Sequence, residues 1–354
     1  MTIDPARVLM FEDDPGAFAK VEAVLAPLLG AVNASLERFT PKAGSSATEL
    51  VEEAITRGPA ASLVVLDWDL TKFEEYSSAG VSRHLVRGAA EEVCAPLCTY
   101  TAPKGEHGTL QRLRRWQESE IPIDSTGDYD EIARRSAAVA AGFIALERCG
   151  AIGSGGLRAW IMAAVRAPAA AESQVAEYTL TGLQRLLQAA EPGFAWRDRL
   201  PVTTVGYWIH NQLLQFPGVL VGGTAAASYL DIDTAAFLDP ETRKVFESAK
   251  YAGPFSDVAD YWWLAGLDAA CAALMEPADE TLLTGRQAVE RVRKCSVPKA
   301  RCIKGHEGAG YYCLITKQPV CAEHSVRPGT WLPIGADRSR IETSKYDELS
   351  AWPS

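Results

Sequence analysis

Two constellations of side chains in this chain could do chemistry. Glu12 and Asp13 follow the apolar run Val8-Leu9-Met10-Phe11, and Asp67 closes the run Leu63-Val64-Val65-Leu66. An apolar run without polar alternation reads as a strand buried on both faces, as in a parallel sheet. In open α/β sheets, reactive groups sit just past the carboxyl ends of such strands. If the two strands are neighbours, Glu12, Asp13 and Asp67 meet at one end of the sheet. Carboxylates that close repel one another, so a hard cation such as Mg2+ is their natural partner. A carboxylate held beside such a cation can take a phosphoryl group, because the developing charge is neutralised.

The second constellation is Cys295, Cys302, His306, Cys313, Cys321 and His324; four of the chain's eight cysteines fall within 295–321. Cys321-Ala322-Glu323-His324 has the two-residue gap that lets both side chains point at one ion. Tyr311 to Thr316, the Lys317-Gln318-Pro319 turn and Val320-Cys321 read as a β-hairpin delivering Cys313 and Cys321. A structural Zn2+ is expected, held by Cys302, Cys321 and His324 and completed by Cys313, Cys295 or His306. Small loop-rich segments have little core and often need a metal to fold. Reduced cysteines packed in a small core are the alternative. The segment resembles zinc-knuckle and B-box-like modules in outline, but Cys295 and Cys302 lack the two-residue gap of a second pair. No open three-ligand pattern with a neighbouring base points to a catalytic metal.

The elements that must position the carboxylates alternate strand and helix, which predicts a doubly wound sheet. Phe18, Val21, Val24, Leu25 and Leu28 recur at helical spacing over 15–29. A short strand at Ser35 to Phe39 and a helix from Ser46, with Leu50, Val51 and Ile55 on one face, come before Leu63. A helix over 80–87, a strand over 96–101, a short basic helix over 110–117, a brief strand over 121–123 and a long helix over 128–148 follow. These residues resemble a response-regulator receiver (CheY-like) domain over roughly 5–150. Val8 to Asp14 matches the family's first strand and acidic pair, Leu63 to Leu70 its phosphoacceptor segment, and Pro96 to Ala102 its fourth strand. The resemblance implies Asp67 as phosphoacceptor, Thr101 at the hydroxyl position, Glu12 and Asp13 as Mg2+ ligands and a histidine kinase as phosphodonor. The family's lysine at the end of the fifth strand is missing from Ile121-Pro122-Ile123-Asp124-Ser125-Thr126, and Lys104 lies only three residues after Thr101.

Composition sets the outer limits. A chain of 354 residues, 47% of them apolar, can bury several cores. The expected organisation is α/β. A flavodoxin-like doubly wound parallel sheet (1–150) is followed by a mostly α-helical domain (151–290) and a small zinc-binding β-rich module (291–354), with the glycine-rich stretch at 150–156 as linker. In the middle segment Tyr261-Trp262-Trp263 is expected to open a helix reaching Met275. His210 beside Asn211 is either catalytic or, more simply, a buried hydrogen-bonded histidine. The net charge of −10 argues against nucleic-acid binding by the whole surface. It leaves only the basic stretch 286–304, where Glu290 is the sole acid among Arg286, Arg291, Arg293, Lys294, Lys299, Arg301 and Lys304. No leader and no membrane-length apolar run are apparent, so a cytoplasmic, reducing location is expected, where clustered Cys and His favour metal over disulfides. The functional expectation is a signalling or regulatory protein with a helical and zinc-binding output. The alternative is a degenerate receiver that docks a protein partner without phosphate.

Overall fold

A computed structural model of the chain describes residues 5–40, 46–57, 61–67, 70, 81–101, 119–124, 128–150, 152, 154–183, 200–277, 279–329, 332–333 and 335–350. They form two compact units, one made of 1–104, 117–153 and 185–207, the other of 105–116, 154–184 and 208–354.

The first unit is built on a five-stranded sheet: β1 (Ala6–Phe11), β2 (Ala34–Arg38), β3 (Leu63–Asp67), β4 (Leu97–Thr101) and β5 (Ile121–Asp124). The strand order is β2-β1-β3-β4-β5 and every pairing is parallel. This is a flavodoxin-like sheet, whose order reverses between β1 and β3. Val8, Leu9, Met10 and Phe11, like Leu63 to Leu66, are fully buried. That burial on both faces explains the unbroken apolar runs.

Helices α1 (Pro15–Ala31), α2 (Ala47–Thr56), α3 (Arg83–Glu92) and α4 (Tyr129–Arg148) accompany the sheet. Asp14 caps α1 by accepting the Gly16 and Ala17 N–H groups, and Pro15 supplies a preset first turn. Ala17, Phe18, Val21, Leu25 and Leu29 form the buried stripe of α1. Leu28, one of the apolar residues at helical spacing, is 40% exposed, and Leu29 beside it is buried. On one side of the sheet Leu9, Phe11, Val64 and Leu66 pack with Leu50, Val51 and Ile55 of α2 and Val86 of α3. Arg7 is buried and ties β1 to the end of α2, donating to the Ala54 and Ile55 carbonyls at 2.7 and 2.9 Å. The helix expected over 110–117 lies outside the described residues.

The regular structure of the second unit is mainly helical, with two small sheets. Strand β6 (Leu220–Gly222) pairs antiparallel with β7 (Tyr261–Trp263). The sequence suggested a helix opening at Tyr261, but those residues form a strand and the helix begins at Leu264, ending at Ala272. Aromatic residues suit a pleated, buried surface: Trp262 and Trp263 are both buried, and Trp262 meets Phe237 edge-on at 5.1 Å. Composition and period of the sequence suggest a helix over 171–190; Glu172–Gly182 is helical, and residues 184–190 lie outside the described residues.

Toward the C-terminus β8 (Tyr311–Cys313), β9 (Pro319–Val320), β10 (Ser325–Val326) and β11 (Ser339–Glu342) form a second sheet in the order β10-β11-β8-β9. β8 and β9 are the antiparallel hairpin expected there, with Tyr311 opposite Val320. No helix among the described residues is long and apolar enough to cross a membrane.

Candidate functional site

β1 and β3 are parallel neighbours in the register Val8↔Leu63 to Phe11↔Leu66. The next step along each strand is Glu12 and Asp67, so the carboxylates emerge together at the crevice where the strand order reverses. Ligand oxygens of Glu12, Asp13 and Asp67 lie within 4.8 Å of one another. Glu12 and Asp13 are buried and Asp67 is half-buried. Hard oxygen donors packed this closely suit a divalent cation.

Both oxygens of Glu12 already have donors. The Asp14 N–H reaches Oε1 at 2.9 Å, and the Tyr100 hydroxyl on β4 donates to Oε2. Burial pushes the Glu12 carboxyl above its ordinary range; these two hydrogen bonds pull it down, and the charges of Asp13 and Asp14 push it up again. Burial, then the charges of Asp67 and Glu12, hold the Tyr100 phenol far above its normal range, so it stays a donor. Arg38, at the end of β2, holds the loop after β1 through the Glu12 carbonyl at 3.1 Å and the Asp13 carbonyl at 3.5 Å.

The remaining receiver-like position is Thr101, which ends β4 and pairs in register with Asp124 at the end of β5. The side chains of Thr101 and Asp124, and Lys104, lie outside the described residues. The sequence had pointed to neither Tyr100 nor Arg38. Tyr100 precedes the hydroxyl position and reads as one more strand residue, and Arg38 closes a short strand with no motif.

The structure divides the six Cys and His candidates. Cys302, Cys321 and His324 bring one donor atom each within 4.8 Å of one another, as do His306, Cys321 and Glu323. His324 Nδ1 lies 3.1 Å from Cys321 Sγ and 3.7 Å from Cys302 Sγ. Cys313 and Cys295 belong to neither group. The Cys313 thiol is turned into the core of the C-terminal sheet with Leu314, Val320 and Ile341, where it accepts the Thr316 and Glu342 N–H groups at 3.4 and 3.3 Å. The hairpin therefore delivers Cys321 but points Cys313 the other way. Cys295 is exposed.

His210 and the two cysteines Cys94 and Cys98, read from the sequence as core residues, have structural surroundings. His210 is buried on a π-helical turn, Ile209–Leu213, with its Nδ1 2.9 Å from Asn211 Oδ1 and its ring edge-on to Phe255. Cys94 and Cys98 are buried in the first unit, and burial pushes the Cys98 thiol up to about 12.

The chain matches no protein-family model and no curated protein.

Proposed function

We propose that this protein is a regulatory protein whose first unit works as a receiver-like module, with Asp67 as phosphoacceptor. The reading rests on one observation: three carboxylates from the ends of two adjacent parallel strands converge at the switch point of a 2-1-3-4-5 sheet. Glu12, Asp13 and Asp67 would hold Mg2+, which supplies charge neutralisation when bound. Asp67, the least buried of the three, is the nucleophile: its carboxylate oxygen attacks the donor's phosphorus and the bond to the leaving group breaks. Tyr100 and the Asp14 N–H keep Glu12 oriented and occupied, leaving Asp67 to react. Thr101 is the expected contact of the phosphoryl group, and a histidine kinase is the donor the resemblance implies. The second unit, with Cys and His donors suited to a structural Zn2+, would be the output.

The test is incubation of the full chain with Mg2+ and acetyl phosphate. Wild type is expected to take up one phosphoryl group and Asp67→Asn none. Labelling that survives the substitution removes Asp67 from the reaction.

A second reading has its own support. β5 ends in Asp124, in register with Thr101, where the receiver family carries lysine. The stretch 121–126 holds no lysine that could pair with a phosphoaspartate. In that reading the module docks a protein partner without phosphate. It predicts no label on either protein, and a partner whose binding is unchanged by Asp67→Ala in a pull-down.

A further inference from the structure

We infer that Cys302, His306, Cys321 and His324 hold one Zn2+ as a closed four-ligand site, with Glu323 as an outer carboxylate. The assignment sharpens the Zn2+ ascribed above to the second unit. It uses none of the phosphoryl chemistry at Asp67, so either can fail alone.

Three of the four ligands, Cys302, Cys321 and His324, already stand close enough to share one ion. Zn–S of about 2.3 Å and Zn–N of about 2.0 Å at tetrahedral angles put a nitrogen roughly 3.5 Å from each sulfur. His324 Nδ1 lies 3.1 and 3.7 Å from the two thiols, on either side of that value. The backbone, not the side chains alone, holds the donors in place. The turn 302–306 is closed by Gly305 N–H to the Cys302 carbonyl at 2.7 Å and Cys302 N–H to the His306 carbonyl at 2.8 Å. Gly305, at φ +85°, supplies the left-handed step. Ile303 N–H then ties this turn to the Pro319 carbonyl at 2.9 Å, two residues before Cys321.

The fourth ligand is a choice between His306 and Glu323: both share a group with Cys321, neither joins the group of Cys302, Cys321 and His324, and the one that ligates has to swing in on binding. Zinc held by two thiolates takes imidazole readily in structural sites. The His306 ring stands edge-on to His324 with centroids 4.3 Å apart. Its Nδ1 faces Glu323 Oε2 at 3.7 Å, which leaves Nε2 for the ion. A carboxylate behind a ligating histidine is the usual outer partner, fixing the ring and raising its basicity. The local apolar cluster is Ala300, Cys302, Ala309 and Cys321. Two alanines and two thiols make a small core, and a bound ion would supply the missing cross-link.

The purified full chain is expected to carry one Zn2+ by elemental analysis, and Cys295→Ser to keep it. Cys321→Ser and His324→Ala should lose it. His306→Ala should weaken a competitive chelator titration by more than the roughly 10–100-fold that an outer-shell change costs, and Glu323→Gln by no more than that. Co2+ exchanged into the unaltered chain keeps the test independent of whether a variant folds. Intense tetrahedral d–d bands with thiolate charge transfer are expected. A weak octahedral spectrum, failure to bind Zn2+ or Co2+ at all, or full Zn2+ retention by Cys321→Ser overturns the site. A Glu323→Gln loss larger than that of His306→Ala overturns the assignment of the fourth ligand.

Discussion

At the scale of single residues, the acidic site is defined by how Glu12 is held. Its two oxygens take the Asp14 N–H and the Tyr100 hydroxyl, while Asp13 and Asp67 stand within 4.8 Å. A buried carboxylate loses hydration and keeps its charge only where donors replace the water. Tyr100→Phe removes one donor without changing the ring that fills the space. The expected outcome is destabilisation by about 1–3 kcal/mol in chelator, the cost of leaving a buried acceptor unsatisfied. Saturating Mg2+ should narrow the gap between variant and wild type, because a cation would repay the same oxygen. Urea unfolding of both proteins with and without Mg2+ measures this. A gap that Mg2+ leaves unchanged would detach Glu12 from the cation. The Glu12–Tyr100 contact joins residues 88 apart in sequence and the Arg38 bonds join residues 26 apart. No local pattern encodes either, so sequence reading could find the acids and not what holds them.

At the scale of elements, the sequence carried most where the physics is local or strictly periodic. β1 and β3 were readable because a strand covered on both faces must be apolar throughout, and Asp67 marks where cover ends. It carried less where burial and period disagree. Tyr261, Trp262 and Trp263 precede a helix, and only their pairing with Leu220–Gly222 makes them a strand. Cys313 looked like a ligand because the hairpin was right, yet its side chain falls on the core side of β8. The helix Leu200–Trp208 shows a further limit. Within the first unit its Tyr207 hydroxyl accepts the Leu97 N–H at 2.7 Å, at the start of β4. A Cβ on Gly206 would come within 2.2 Å of Cε1 and 2.8 Å of Cδ1 of the buried Phe143 ring. Gly206→Ala therefore gains helix propensity but forces that ring or the helix to move. A net loss of about 1–3 kcal/mol is expected, the cost of overpacking. Thermal unfolding decides the sign: an alanine as stable as glycine would mean that the helix does not lie this close to α4.

At the scale of the whole molecule, each unit holds its own set of metal-suited donors, hard oxygens in the first and sulfur and imidazole in the second. Charge is arranged just as unevenly in sequence, and the fold cancels most of that unevenness. The stretch 286–304 reads as a basic patch, but five of its seven cations stand in ion pairs with acids of the second unit, one of them Glu290 within the stretch itself. Arg286 pairs with Asp231 and Glu290, and Arg291 with Asp279, whose carboxyl is thereby held down to about 2. Arg293 pairs with Asp239, Lys299 with Glu307 and Lys304 with Glu342. Nucleic acid would have to displace those carboxylates and meet a chain of net charge −10. Nonspecific duplex binding at physiological salt typically falls at about 10⁻⁴–10⁻⁶ M. This protein is expected to bind more weakly than that range, and Arg291→Ala with Arg293→Ala should not weaken it further. Fluorescence anisotropy with a labelled duplex at physiological salt checks both. Binding within that range that falls steeply with added salt and is lost in the double variant would show that the ion pairs open, and would restore the stretch as a nucleic-acid surface.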